Sequence, residues 1–132
     1  RLLNKRDTLT EDEMRCIRER AALADEVLRP ILDDEEVLKN IRHKRERYDG
    51  TGYPDGLKGN LIPLGARVIS VVEAFDAITS GRPYRLPQSP EDAIRELNRC
   101  APTQFDPQVV TVFAELYERI FRNVSQTSMG IP

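Results

Sequence analysis

The chain has 132 residues, with 20 Lys and Arg against 22 Asp and Glu, a net charge of −2, and hydrophobic residues at 39%. These values describe one globular domain and exclude a disordered chain. The near-neutral balance gives no overall electrostatic case for nucleic acid, and no run of about 20 apolar residues is present to span a membrane. Cys16 and Cys100 stand alone, without metal-site spacing, and no signal-peptide pattern opens the chain. Free thiols in a reducing cytoplasm are the expectation.

Residues 1–9 read as an irregular lead-in. Thr10 followed by Glu13 is a capping box, and Met14, Ile17, Ala21, Ala24, Leu28 and Ile31 then recur at intervals of three and four. The spacing predicts an amphipathic helix over 11–29, ended by Pro30. A second helix is predicted over 34–46, with a short apolar stripe of Val37, Leu38 and Ile41. Its acids, residues 33–36, precede its bases Lys39, Arg42, Lys44, Arg45 and Arg47, which is ordinary complementation of the helix dipole. So polar a helix belongs across the surface of the core or at the rim of a pocket.

Four of the seven glycines fall between Gly50 and Gly59, with Pro54 among them. Each glycine in a helix interior costs about 1 kcal/mol and proline about 3, so residues 47–59 form a turn-rich loop. Within it, Pro54-Asp55-Gly56 combines a preset φ with a residue tolerant of positive φ. A loop of this kind between helices is where a helical domain places a site.

Pro63 opens a third helix. Val68, Ile69, Val71, Val72, Phe75 and Ile78 cover so much of its circumference that it should be the central one. Glu73 and Asp76 are exceptions on that helix and need partners; Arg67 or the cations of the second helix are candidates. Ser80-Gly81 break it. In the loop Arg82-Pro83-Tyr84-Arg85, the two arginines either present guanidinium forks to phosphate or pin the loop to Asp76 or the backbone. Ser89-Pro90-Glu91-Asp92 starts a fourth helix running to about Cys100 and burying Ala93, Ile94 and Leu97. Asp106-Pro107 starts a fifth, with a broad apolar face from Val109 to Phe121. After Asn123 the pattern weakens, and residues 123–132 are expected to fray. The fold class is all-α, an orthogonal bundle of about five helices, in a single domain over 1–132.

Asp49-Gly50-Thr51-Gly52-Tyr53-Pro54, then Ile62-Pro63-Leu64, Ala66-Arg67-Val68, Phe75-Asp76-Ala77, Arg82-Pro83-Tyr84-Arg85 and Phe105-Asp106-Pro107 together resemble the signature of the HD-GYP family. Order and spacing over some sixty residues carry the resemblance, which extends more weakly back to Leu3-Asn4-Lys5 and Leu9-Thr10. It implies an HD-domain-like, metal-dependent phosphodiesterase of the bacterial second messenger cyclic di-GMP, fused downstream of a receiver or other sensor. It also implies that the family domain begins upstream of Arg1.

The same resemblance implies a di- or tri-nuclear iron or manganese site. The family builds that site from a His and a His-Asp pair upstream, a further His, a paired His before the loop, and an Asp on the following helix. Counted back from Gly50, the paired positions are Lys44 and Arg45. The further His falls on Arg20, and the Asp on Glu73. His43, the single histidine, sits one position early, a rotation of about 100° on a helix. Arg and Lys only donate hydrogen bonds, whereas such metals need imidazole, thiolate or carboxylate. No metal ligand and no catalytic residue is therefore assigned, and a salt-bridge cluster in which Glu46 or Glu73 neutralises Lys44 or Arg45 is the expectation.

Three functions of different classes follow. The first is a degenerate, non-hydrolytic signalling domain that docks a partner, such as a diguanylate cyclase domain, or binds cyclic di-GMP through Lys44, Arg45, Tyr53, Arg82 and Arg85. The second is an active cyclic di-GMP phosphodiesterase. The third is a dimerisation module of a response regulator, using the apolar face of the last helix. Tyr53 is either a stacking face for guanine or an anchor of its own loop, and the loop position between glycines favours the anchor. The first function is the one the residues favour, with docking ahead of nucleotide binding.

Overall fold

The computed structural model describes residues 10–81 and 83–129, with side chains through Phe121. Five α-helices follow in order: α1 Glu11–Leu28, α2 Glu35–His43, α3 Leu64–Ser80, α4 Pro90–Cys100 and α5 Pro107–Met129, with a 3₁₀ turn at Gly59–Leu61 before α3. The all-helical class, with five α-helices among the described residues, agrees with the sequence.

Local chemistry explains most boundaries. The Thr10 side chain accepts from the Glu13 amide while Glu13 reaches back to the Thr10 amide, the reciprocal capping box. Asp34 caps α2 by accepting from the amides of Glu36 and Val37. Ser89 caps α4 with Pro90 in the first turn. Gly81, at φ 79°, ends α3.

Helix α2 is shorter than the sequence suggested. It stops at His43, with Lys44 as its C-cap and a turn over 44–45, because the chain must already bend there to enter the glycine loop. Helix α5 runs further than the apolar pattern and continues to Met129. No glycine or proline interrupts the chain between Pro107 and Gly130, so the backbone ladder propagates past the last core contact.

Helix α3 is central, packing on α2, α4 and α5, while α1 packs on α2. The core joins Val71 of α3, Leu97 of α4, Phe105, and Val110 of α5, with Phe75 and Phe113 against it. Phe75 lies edge-on to Phe113 at 5.0 Å and also meets Tyr117 at 5.1 Å, contacts that add to area burial. Leu97 is fully buried, which stabilises the fold by roughly 2 kcal/mol. Against α2, α3 comes unusually close. A Cβ on Gly65 would lie 2.2 Å from the Asn40 amide nitrogen, so a larger residue there would have to displace that side chain.

Two expectations about α3 are corrected. Glu73 and Asp76 are exposed rather than buried on the central helix, because α3 is covered on its α4 and α5 sides and open on another. Arg67 does not serve them. Its Nε donates to the Ile62 carbonyl at 2.9 Å, and its Nη1 meets the buried Asp106 carboxylate at 2.7 Å.

Candidate functional site

The glycine loop is built around a buried charge. Glu46, its side chain fully buried, accepts from the Asp55 amide at 2.9 Å through Oε2 and from the Leu57 amide at 3.0 Å through Oε1. The loop must curl closely around that carboxylate. Gly52 makes this possible: a Cβ there would stand 2.2 Å from the Arg47 nitrogen and 2.6 Å from the Glu46 Cα. Gly56, at φ 70°, supplies the positive φ that the Pro54-Asp55-Gly56 turn requires.

Four further ties hold the loop. The Arg42 guanidinium donates to both Asp55 oxygens at 3.1 and 3.2 Å. Arg18 of α1 donates to the Pro54 carbonyl at 3.1 Å. The Tyr48 and Asp49 amides donate to the carbonyls of Gln104 and Thr103 at 3.1 and 2.9 Å, fastening the loop to the α4–α5 connection. Asp49 Oδ1 accepts from the Thr51 amide and hydroxyl at 3.0 and 2.6 Å.

The electrostatics follow these contacts. Hydrogen bonds from Arg42 hold the Asp55 carboxyl below the usual carboxylate range, against partial burial. For Asp49, partial burial works upward, but the Thr51 hydroxyl and amide with Arg47 outweigh it, and the pKa falls.

His43, Glu46 and Asp55 bring three ligand-type atoms within 4.8 Å of one another. His43 Nδ1 lies 3.2 Å from Glu46 and 3.5 Å from Asp55. Distance alone would admit an ion, but the donor set argues for a clasp. Both Glu46 oxygens already serve loop amides, both Asp55 oxygens serve Arg42, and that guanidinium would repel a cation. His43 is thus a bonded member of the loop support.

The sequence-derived site residues separate into three groups. Lys44 and Glu73 meet: Lys44 Nζ lies 3.0 Å from Glu73 Oε2, joining the end of α2 to α3. The expected neutralisation of Lys44 is met through Glu73, while Glu46 is spent on the loop. Arg45 follows Lys44 with its side chain exposed, and its carbonyl accepts from the Tyr53 amide at 3.5 Å. Tyr53 is half-buried beside the buried Pro54. Arg20 is exposed on α1, and no hydrogen bond or ion pair ties it to this group among the described residues. Arg85 is exposed and acts electrostatically on Glu96 of α4; Arg82 lies outside the described residues. Asp76 accepts from the Ser80 hydroxyl at 3.3 Å, and no hydrogen bond or ion pair joins it to Arg85 among the described residues.

Sequence reasoning missed three working residues. Glu46 was weighed only as a neutraliser of neighbouring cations; its place four residues before the first loop glycine was the available signal. Asp106 was seen as a helix start, which it is, since its Oδ1 accepts from the Gln108 amide at 2.9 Å. Its partnership with Arg67, 39 residues away, leaves no local trace. The Arg18 contact, 36 residues from Pro54, leaves none either.

Comparison with known proteins places this geometry. The chain matches the HD domain family over residues 1–109, and it belongs to that family. It is 34% identical over 124 residues to a cyclic di-GMP phosphodiesterase of Thermotoga maritima, covering 91% of this chain and 33% of that one. It is 39% identical over 112 residues to the cyclic di-GMP phosphodiesterase response regulator RpfG of Xanthomonas campestris pv. campestris, covering 83% and 29%. Among solved structures, the Vibrio cholerae cyclic GMP-AMP specific phosphodiesterase V-cGAP3 superposes with a TM-score of 0.75 at 27% identity, over 95% of this chain and 31% of that one. The chain thus spans about a third of the length of these relatives, and is related to cyclic-dinucleotide phosphodiesterase domains over most of its own. Among the described residues no helix is long and apolar enough to cross a membrane.

Proposed function

We propose that this chain is a non-hydrolytic HD-type signalling domain that keeps the family loop as a rigid docking element. The observation that carries the reading is the 3.0 Å Lys44–Glu73 ion pair. By the resemblance, these two positions are where an imidazole and a carboxylate would bind metal. Instead an ammonium occupies one and consumes the other, with Arg45 next in the chain. Iron or manganese does not fit this donor set: Lys and Arg have no lone pair to give, and Glu73 is already satisfied. The tied loop supports the same reading, because Glu46, Arg42 and Arg18 hold its shape with protein groups alone.

Docking is favoured over nucleotide binding because most of the nearby cations are already engaged. Lys44 is held by Glu73, Arg42 by Asp55, Arg18 by Pro54, and Arg47 by Thr51 at 3.1 Å. Arg45 and the exposed Lys58 are the cations beside the loop left for a ligand with two phosphodiesters. Leu61 and Leu64, just after the loop, are 74% and 60% exposed, which suits a protein partner. RpfG is a response regulator by name, which fits an output domain behind a receiver, and a diguanylate cyclase domain is the partner class the resemblance suggests.

The test is metal analysis, turnover and calorimetry on protein expressed with iron and manganese supplied. The expected outcome is no stoichiometric metal, no linear dinucleotide product, and no heat with cyclic di-GMP. Bound metal with turnover would overturn the non-hydrolytic reading. Salt-sensitive heat that Arg45→Ala abolishes would move the role from docking to nucleotide sensing.

A further inference from the structure

The apolar sector of α5 is wider than the core that covers it. Val110 and Phe113 face Val71 and Leu97, yet Val112, Leu116 and Ile120 on the adjoining side are 47%, 40% and 52% exposed. Spaced four apart, these three form one ridge of the kind that packs into the groove of another helix. Glu115 and Arg119 stand on one flank of it, one turn apart. Both are exposed, and neither has a hydrogen bond or ion pair among the described residues.

We propose that this ridge is the seam of a homodimer, with α5 of a second copy lying antiparallel across it. The argument is charge complementarity. An acid and a base one turn apart on the same flank are self-complementary only when the second helix runs the opposite way. A two-fold axis in the interface, level with Tyr117, sets Glu115 of each copy beside the partner's Arg119, so the pairing occurs twice. The same axis places Leu116 and the partner's Leu116 slightly offset, so that the side chains interdigitate rather than collide. A parallel two-fold copy would carry this flank to the opposite side of the seam and leave both charges unmatched. The dimer is independent of metal, nucleotide and the glycine loop.

Sedimentation equilibrium of the whole chain from about 1 to about 100 µM tests the seam. A concentration-dependent dimer is expected. Glu115→Arg and Arg119→Glu should each weaken it roughly tenfold or more, because each creates two like-charge contacts. The double variant Glu115→Arg, Arg119→Glu should restore it to within about threefold of the parent. Far-UV circular dichroism should stay unchanged in all three, since both positions are on the surface. A chain that stays monomeric at every concentration overturns the proposal and leaves the ridge to a different protein. So do single swaps that dimerise like the parent, or a double swap that fails to recover.

Discussion

With its side chain fully buried and two loop amides donating to it, Glu46 holds a charge that nothing else nearby can replace. Glu46→Ala leaves those amides and His43 without an acceptor and should cost about 3 kcal/mol, read as a lowered urea midpoint. Glu46→Gln keeps one acceptor oxygen and should cost about half as much. An unchanged midpoint for the alanine variant would mean that water takes over the role. The loop glycines differ just as clearly. Gly52→Ala drives a Cβ into backbone that cannot retreat, and should cost about 3 kcal/mol as overpacking. At Gly56 the nearest atom to an added Cβ is 3.6 Å away, so Gly56→Ala meets only the left-handed backbone penalty of about 1 kcal/mol. Equal effects at the two positions would show that the tight loop around Glu46 opens in solution.

Between elements, two ion pairs look alike in a contact map and differ in energy. Arg67–Asp106 joins α3 to the start of α5 with side chains 15% and 5% exposed, whereas Lys44–Glu73 joins α2 to α3 at 30% and 44%. Water screens the second, so Glu73→Gln should change stability by about 0.5 kcal/mol or less. Asp106→Ala strands a nearly buried guanidinium and removes the cap of α5. It should cost about 3 kcal/mol, measured by chemical denaturation. If Glu73→Gln proved the more damaging, Lys44–Glu73 would be a structural keystone rather than a surface tie.

For the whole molecule, pH gives the integrated readout. Asp49, Asp55, Asp92 and Glu96 all have pKa values held below their ordinary range in the fold. The unfolded chain therefore binds more protons than the native one, and stability is fully present above the unfolded pKa values. It is lost as pH falls below about 4, through the depressed native values. Thermal midpoints should thus hold near neutrality and drop steeply in acid. Asp55→Asn should make the acid slope shallower, since its carboxylate no longer titrates against Arg42. A slope identical to the parent would remove Asp55 from the set.

Particular residues mark where sequence sufficed. Thr10, Ser89-Pro90 and Gly81 announced helix ends because capping and positive φ act over three or four residues. The glycine loop, the central place of α3 and the family resemblance were legible for the same reason, as patterns of composition and spacing. Chain order could not reveal that Arg67 bypasses Glu73 and Asp76 for Asp106 or that Arg18 reaches the loop, and it left Glu46 and Glu73 both open as partners of Lys44. Each of these contacts joins residues at least 29 apart along the chain. The amino-acid order by itself set the helices, their caps and the missing imidazoles, since those depend on neighbours along the backbone. Only the packed fold decided which charges meet, because desolvation and partner choice depend on what helix packing brings into reach.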